Sequence, residues 1–276
     1  MSQHVLGYVE KDTPIHRLHA TCKLIYFLVI TTVVMLTYDT RLLLAITISS
    51  LFILYLADIH YREISFILKF IAFFTLLNLI AVYIFEPEYG VALYGSRWVI
   101  AEGWGRYSIT WQQIFYESNL LLKYLATVPI AIVFIMTTNP SQFASSLNHI
   151  GLSYRISYSV ALTLRYIPDI QSQFRTIRQA QEARGLDLSR KAKLKDRIMG
   201  TVGLIMPLVL TSLENIDTIS HAMELRRFGQ GKKRTWYVQA PFKRVDVGIL
   251  VLAGAWILAL ILCYVANQGR FYNPFM

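Results

Sequence analysis

Cysteine is almost missing from this chain. It has two, Cys22 and Cys263, far apart and each beside or inside an apolar run, which excludes a disulfide framework and a zinc ribbon. Charge is scarce as well: 16% of the 276 residues are charged, where a soluble domain carries about a quarter. No secretory signal opens the sequence. MSQHVLGYVEKDTPIHRLHATCK is polar, carries Glu10 and Asp12, and has no apolar core ahead of a small-residue cleavage site. A nucleotide-binding P-loop is absent too: Gly229-Gln230-Gly231-Lys232-Lys233 has the wrong glycine spacing and no Ser or Thr after the lysine. No cluster of His, Asp or Glu with catalytic potential falls inside the apolar runs. His16, His19 and Cys22 lie three apart and share a helical face, but without a fourth ligand they read as part of a helix entering the membrane, not as a metal site. No cofactor is expected.

What the chain does have is apolar length. It is 55% hydrophobic, with a mean hydropathy of +0.43. Five runs between charged residues, 24–38, 42–57, 70–85, 124–138 and 247–269, are read as membrane spans; a span needs about 17–25 mostly apolar residues, and Lys or Arg at its edges snorkel to the headgroups. Lys69 and Lys123 are expected to do so. Asn78 and Asn119 are candidates for polar bonds between spans. A sixth run, 198–213, has the length to cross but is flanked by basic blocks on both sides: Arg184 to Arg197 before it, Arg226 to Arg234 after it. Lys and Arg gather on the cytoplasmic side, so both blocks stay inside if this run does not cross.

The same rule orients the rest. The N-terminus is expected in the cytoplasm, and 86–117 outside, where four Glu face only Arg97 and Arg106. Trp98, Trp104 and Trp111 suit an interfacial belt. The net charge of +10 is then mostly cytoplasmic and faces partners or anionic lipid, and a nucleic-acid partner is not expected. The fold class is an all-α polytopic membrane protein, with four spans in 1–138, a cytoplasmic domain at 139–244 and a last span in 245–276.

Residues 139–244 hold seventeen Lys/Arg against seven Asp/Glu and are too many for a loop. Thr138-Asn139-Pro140-Ser141 reads as a stop followed by a new start. Apolar residues from Ile156 to Ile177 recur at helical spacing, with Pro168 a kink or a fresh start. Gly185 ends that helix, and a further helix from 198 to about 228 is closed by Gly229. Each helix finishes on the same phrase, AQEARGLD at 180–187 and AMELRRFG at 222–229. Both fit Ala-x-Glu-x-Arg-x-apolar. Glu and Arg two apart on a helix point about 200° apart and do not pair with each other. One copy alone is accounted for by the dipole, which favours a cation in the last turn by about 0.3–1 kcal/mol. Two copies in one basic segment point to a shared function.

These residues resemble the transmembrane (T) component of energy-coupling factor transporters, of the EcfT or CbiQ type. The likeness rests on Thr13-Pro14-Ile15-His16-Arg17-Leu18-His19 with Lys23-Leu24; on Thr137-Thr138-Asn139-Pro140; on Gly151-Leu152-Ser153-Tyr154 followed by Leu164-Arg165-Tyr166-Ile167-Pro168; and on Ala183-Arg184-Gly185, Pro207 and Ala222-Met223-Glu224 with Arg226 and Phe228. The resemblance implies a non-catalytic coupling subunit of an importer for a vitamin or metal ion in a prokaryotic cell membrane. It further implies two cytoplasmic ABC ATPases and a substrate-binding S component as partners. Carried over, Glu182, Ala183, Arg184, Gly185, Glu224, Leu225, Arg226 and Arg227 dock the ATPases. Leu225 and Arg227 depart from the Ala-Arg-Gly pattern, so the two sockets are expected to differ. The competing reading is an integral membrane enzyme acting on an anionic lipid, with Glu182 and Glu224 its only candidate acids.

Overall fold

Charged residues at the edges of the apolar runs do not stop the helices, because Lys, Arg and Glu are good helix formers. The helices therefore begin ahead of the apolar stretches. In the computed structural model, which describes residues 11–102, 107–185, 194–228, 235–236 and 241–275, the elements are α1 (Ala20–Leu36), α2 (Thr40–Leu56), α3 (Tyr61–Phe85), α4 (Tyr89–Tyr94), β1 (Val99–Ala101), β2 (Ile109–Thr110), α5 (Trp111–Thr137), α6 (Pro140–His149), α7 (Tyr154–Ala183), α8 (Leu194–Leu225) and α9 (Arg244–Ala266). The protein is an all-α polytopic membrane protein; among the described residues the one β element is a short antiparallel hairpin pairing Val99 with Thr110. The chain forms two units, Met1–Asn139 with Ala240–Met276, and Pro140–Gln239.

The first unit is a bundle of α1, α2, α5 and α9. Tyr26, Ile30, Val33 and Val34 of α1 recur at helical spacing and meet Leu42, Leu43 and Ile46 of α2, Ala126 and Ile130 of α5 and Ala253 of α9. Most apolar side chains of α3 and α9 point outward, as they must when the surrounding solvent is lipid. In α3 only Ile64 and Thr75 are buried. The two asparagines do bridge helices: Asn119 accepts from the Thr40 hydroxyl at 2.7 Å, and Asn78 from the Tyr124 hydroxyl at 3.3 Å. In α4, Gly90 passes so near α5 that a Cβ there would lie 2.5 Å from the Gln112 carbonyl oxygen; its N–H donates to the buried side chain of Gln113.

Lys123 departs from expectation. Instead of snorkelling, its Nζ donates to the Met35 carbonyl at 3.1 Å and sits 3.3 Å from the centre of the Tyr38 ring. Met35 lies in the last turn of α1, where carbonyls lack helical partners. At the other end of the same helix pair, Lys23 of α1 donates to the Thr137 carbonyl of α5 at 2.8 Å. The antiparallel helices thus cap each other's C-termini with lysines.

By length and composition α3, α5, α8 and α9 suffice to cross a bilayer, while α1 and α2 are apolar but shorter. At 17 residues each, those two sit at the low end of the range that spans a membrane.

Candidate functional site

The second unit carries the repeated phrase. Thr137 ends α5 and Pro140 opens α6, as expected from proline's fitness for a first helical turn. Ser153 caps α7, its hydroxyl accepting from the Ile156 N–H at 3.4 Å. Pro168 neither ends nor restarts this helix, which runs unbroken for 30 residues. A mid-helix proline leaves the carbonyl four residues earlier without its usual donor; here that is Leu164.

The two copies are superimposable in register. Glu182 and Glu224 are the penultimate residues of α7 and α8, Ala183 and Leu225 the last. Arg184 and Arg226 come next, in the cap position. Gly185 and Arg227 then turn left-handed, with φ of 92° and 53°. Gly185 N–H donates to the Glu182 carbonyl at 3.0 Å, and Arg227 N–H to the Glu224 carbonyl at 2.9 Å. In the second copy the closing bond is also described: Phe228 N–H reaches back to the Met223 carbonyl at 2.9 Å. That 6→1 bond with its 5→2 companion is the Schellman closure. The closing residue of α8 is therefore Arg227, two positions before the expected Gly229, which lies outside the described residues.

All eight residues from Glu182 to Gly185 and Glu224 to Arg227 are exposed. Glu182 accepts from Arg178 at 2.9 Å, one turn back. Arg184 makes no side-chain hydrogen bond or ion pair among the described residues. Leu225 is 86% exposed, an apolar side chain set beside the Arg226 fork.

Sequence reasoning missed what surrounds the second copy. Phe228 lies against Tyr158 at 4.5 Å and Tyr154 at 5.9 Å between ring centres. Tyr154 also meets Trp236, whose indole N–H donates to Asn148 of α6 at 3.3 Å. The spacing of Tyr154 and Tyr158, one turn apart, was the available signal. These contacts put the end of α8 beside the start of α7. Further along, Tyr166, Ile170 and Gln173 of α7 share a cavity of 400 Å³ with Asn215, Ile219 and Met223 of α8. The helices run antiparallel, so the first arginine end lies about 40 Å along α7 from the second, at 1.5 Å per residue. Glu182 of α7 and Glu224 of α8 are at opposite ends of this antiparallel helix pair and do not form a pair of acids, which removes the basis for the lipid-enzyme reading.

One face of the N-terminal half of α8 is uncovered, while Leu204 in that half is buried. Ile198, Met199, Val202, Ile205, Met206 and Leu210 are all exposed. His16 and His19 hold structural positions: His16 bonds Thr13 at 2.7 Å, and the His19 ring caps α1 by accepting from the Thr21 N–H at 3.2 Å.

Comparison with known proteins adds a family. Residues 11–237 match the model of CbiQ, described as cobalt transport protein. The chain is 24% identical over 272 residues to the energy-coupling factor transporter transmembrane protein EcfT of Exiguobacterium sibiricum, covering 96% of this chain and 97% of that one. It is 25% identical to the EcfT protein of Lacticaseibacillus paracasei, over 94% of this chain and 99% of the relative. With that of Heliobacterium modesticaldum identity is 27%, over 91% and 94%.

Proposed function

This chain belongs to the CbiQ family, and from that premise we propose that it is the transmembrane coupling subunit of an energy-coupling factor importer. It carries out no catalysis. Two cytoplasmic ABC ATPases bind ATP, close and reopen, and this subunit passes their movement to a separate substrate-binding membrane component. The imported cargo, a vitamin or a metal ion, is read by that component.

One observation carries the reading. The same phrase ends two different helices in the same cap geometry, with the arginine at the same step, about 40 Å apart along α7. A single recognition element needs one such end; two matched ends at that separation suit two partner domains. An arginine at a helix C-terminus offers five donors in a planar fork fitted to a carboxylate, and the neighbouring left-handed turn brings backbone close to a partner. Arg184, Ala183 and Gly185 make one plug; Arg226, Leu225 and Arg227 make the other. The first is slim, while the second is bulkier and more positive. The two ATPases are therefore non-identical, or identical with unequal contacts.

The exposed apolar face on the N-terminal half of α8 supports the third partner. In this reading α8 is a coupling helix on the cytoplasmic side, and its exposed Ile, Met, Val and Leu side chains meet the substrate-binding component or the lipid around it. The N-terminus and the second unit are cytoplasmic, in the cell membrane of a bacterium.

The test is co-purification from membranes that express all subunits. Truncating one partner of a desolvated interfacial charge pair costs about 2–5 kcal/mol. Arg184→Ala or Arg226→Ala alone is expected to weaken ATPase retention about 30-fold or more, and the double variant to abolish both assembly and uptake. Unchanged assembly and uptake in the double variant would sink the docking role.

A further inference from the structure

Both covalent links between the two units leave the membrane bundle at one place, the start of α1. The outgoing link follows Thr137, the last residue of α5. Its carbonyl is held by Lys23 Nζ at 2.8 Å, and the same ammonium reaches the His16 carbonyl at 3.3 Å. Lys23 is 7% exposed, so its charge is committed to these two backbone oxygens and to the field of Asp246. The hydroxyls of Thr137 and Thr138 are buried with no hydrogen-bond partner among the described residues and do not fasten the link.

The returning link arrives at Lys243 and α9. Asp246, fully buried, takes the Lys243 N–H on one carboxylate oxygen at 2.7 Å and the His19 N–H on the other at 2.8 Å. One carboxylate thereby staples the start of α9 to the start of α1. The His19 ring lies 5.8 Å from that of Phe242, on the same link. His16, His19 and Lys23 are successive turns of one short stretch.

We propose that residues 16–23 with Asp246 form a coupling clamp, in which Lys23 is the positioning residue that fixes the outgoing link of the coupling unit to the membrane bundle. The inference rests on the subunit reading above. ATPase closure moves the second unit, and that movement reaches the bundle through the two links. A helix end that frays absorbs displacement; one whose orphan carbonyl is held by a buried ammonium passes it on. The bundle contains its own control. Lys123 caps α1 in the same way at the opposite end, where no link to the second unit leaves, so it shares the structural role of Lys23 but not the coupling role.

The experiment uses the reconstituted four-subunit transporter in proteoliposomes, and reads substrate taken up per ATP hydrolysed. Lys23→Met is expected to assemble and hydrolyse ATP while this ratio falls roughly tenfold, the scale set by loss of a charge-assisted bond. Lys23→Arg, which keeps charge and donors, is expected to recover much of it. Lys123→Met is expected to lower the thermal midpoint but to keep the wild-type ratio. Should Lys23→Met not accumulate, Asp246→Asn probes the same clamp and is expected to lower the ratio in the same direction. A wild-type ratio in Lys23→Met or, failing its accumulation, in Asp246→Asn overturns the proposal, as does an equal fall in the two lysine variants. A wild-type chain that does not assemble with ATPases overturns the subunit reading itself, and the clamp with it.

Discussion

At the scale of single residues, Arg227 is the informative one. It occupies the left-handed position that Gly185 occupies in the first copy, and an L-residue with a side chain is strained there: φ is 53° at Arg227, a region disfavoured by roughly 1 kcal/mol or more outside glycine. Arg227→Gly is expected to raise the stability of the α8 end by about 1 kcal/mol, read as a higher thermal midpoint in detergent. Gly185→Ala should move the midpoint the other way. If the strain is kept because Arg227 touches a partner, the more stable Arg227→Gly protein binds its ATPase less tightly. A gain in both stability and ATPase retention would show that Arg227 contributes nothing to docking. The glutamates at the penultimate positions were legible in the sequence as a repeated letter. Their separation by the length of α7 was not, because no local pattern encodes which end of one helix lies beside which end of another.

At the scale of elements, the ends of helices do most of the fastening. Lysines cap α1 and α5, and Asp246 caps α9. Asp39 caps α2, accepting from the Arg41 N–H at 2.9 Å. The Asp39 carboxylate also binds the Arg41 guanidinium at 3.0 Å and the Asn267 amide at 2.6 Å. Burial pushes its pKa up, but the hydrogen bonds from Arg41 and Asn267 outweigh burial and leave it lowered. A carboxyl with a lowered folded pKa contributes stability that is fully present above its unfolded value, about 3.9, and is lost as pH falls through the folded value. The protein is thus expected to keep this contribution at neutral pH and to shed it below about pH 4. Asp39→Asn should flatten the acid limb of a thermal-midpoint profile measured from pH 7 to pH 3; an unchanged limb means that another carboxyl dominates it. Helix boundaries were only partly legible. The apolar runs located α1, α2, α3, α5 and α9, yet α3 begins nine residues before its run at Tyr61 and α5 thirteen before its run at Trp111. Tertiary bonds, not hydropathy, decide where α5 starts: Thr110 caps it, and the buried side chains of Gln112 and Gln113 in its first turn bond Ser96, Trp98 and Gly90 of the preceding segment.

At the scale of the whole molecule, the open contrast is between α8 as a membrane span and α8 as a coupling helix, since its length and composition permit crossing. The coupling reading expects both of its ends in the cytoplasm. In a Cys22→Ser, Cys263→Ser background, single cysteines at Lys195 and Leu225 should both react with an impermeant maleimide only in inside-out vesicles. Opposite sidedness of the two would make α8 a span and put one arginine end outside the cell. The sequence alone determined the all-α membrane class, the pair of arginine phrases and the family resemblance. Composition, period and short motifs are local properties, and a bilayer admits few ways to satisfy a backbone. Only the tertiary structure decided that the two ends stand a helix length apart, and that Lys23 and Lys123 are caps. Each of those depends on a contact between residues distant in the chain, such as Lys23 with Thr137 or Phe228 with Tyr158, and the pattern of one segment carries no record of its partner.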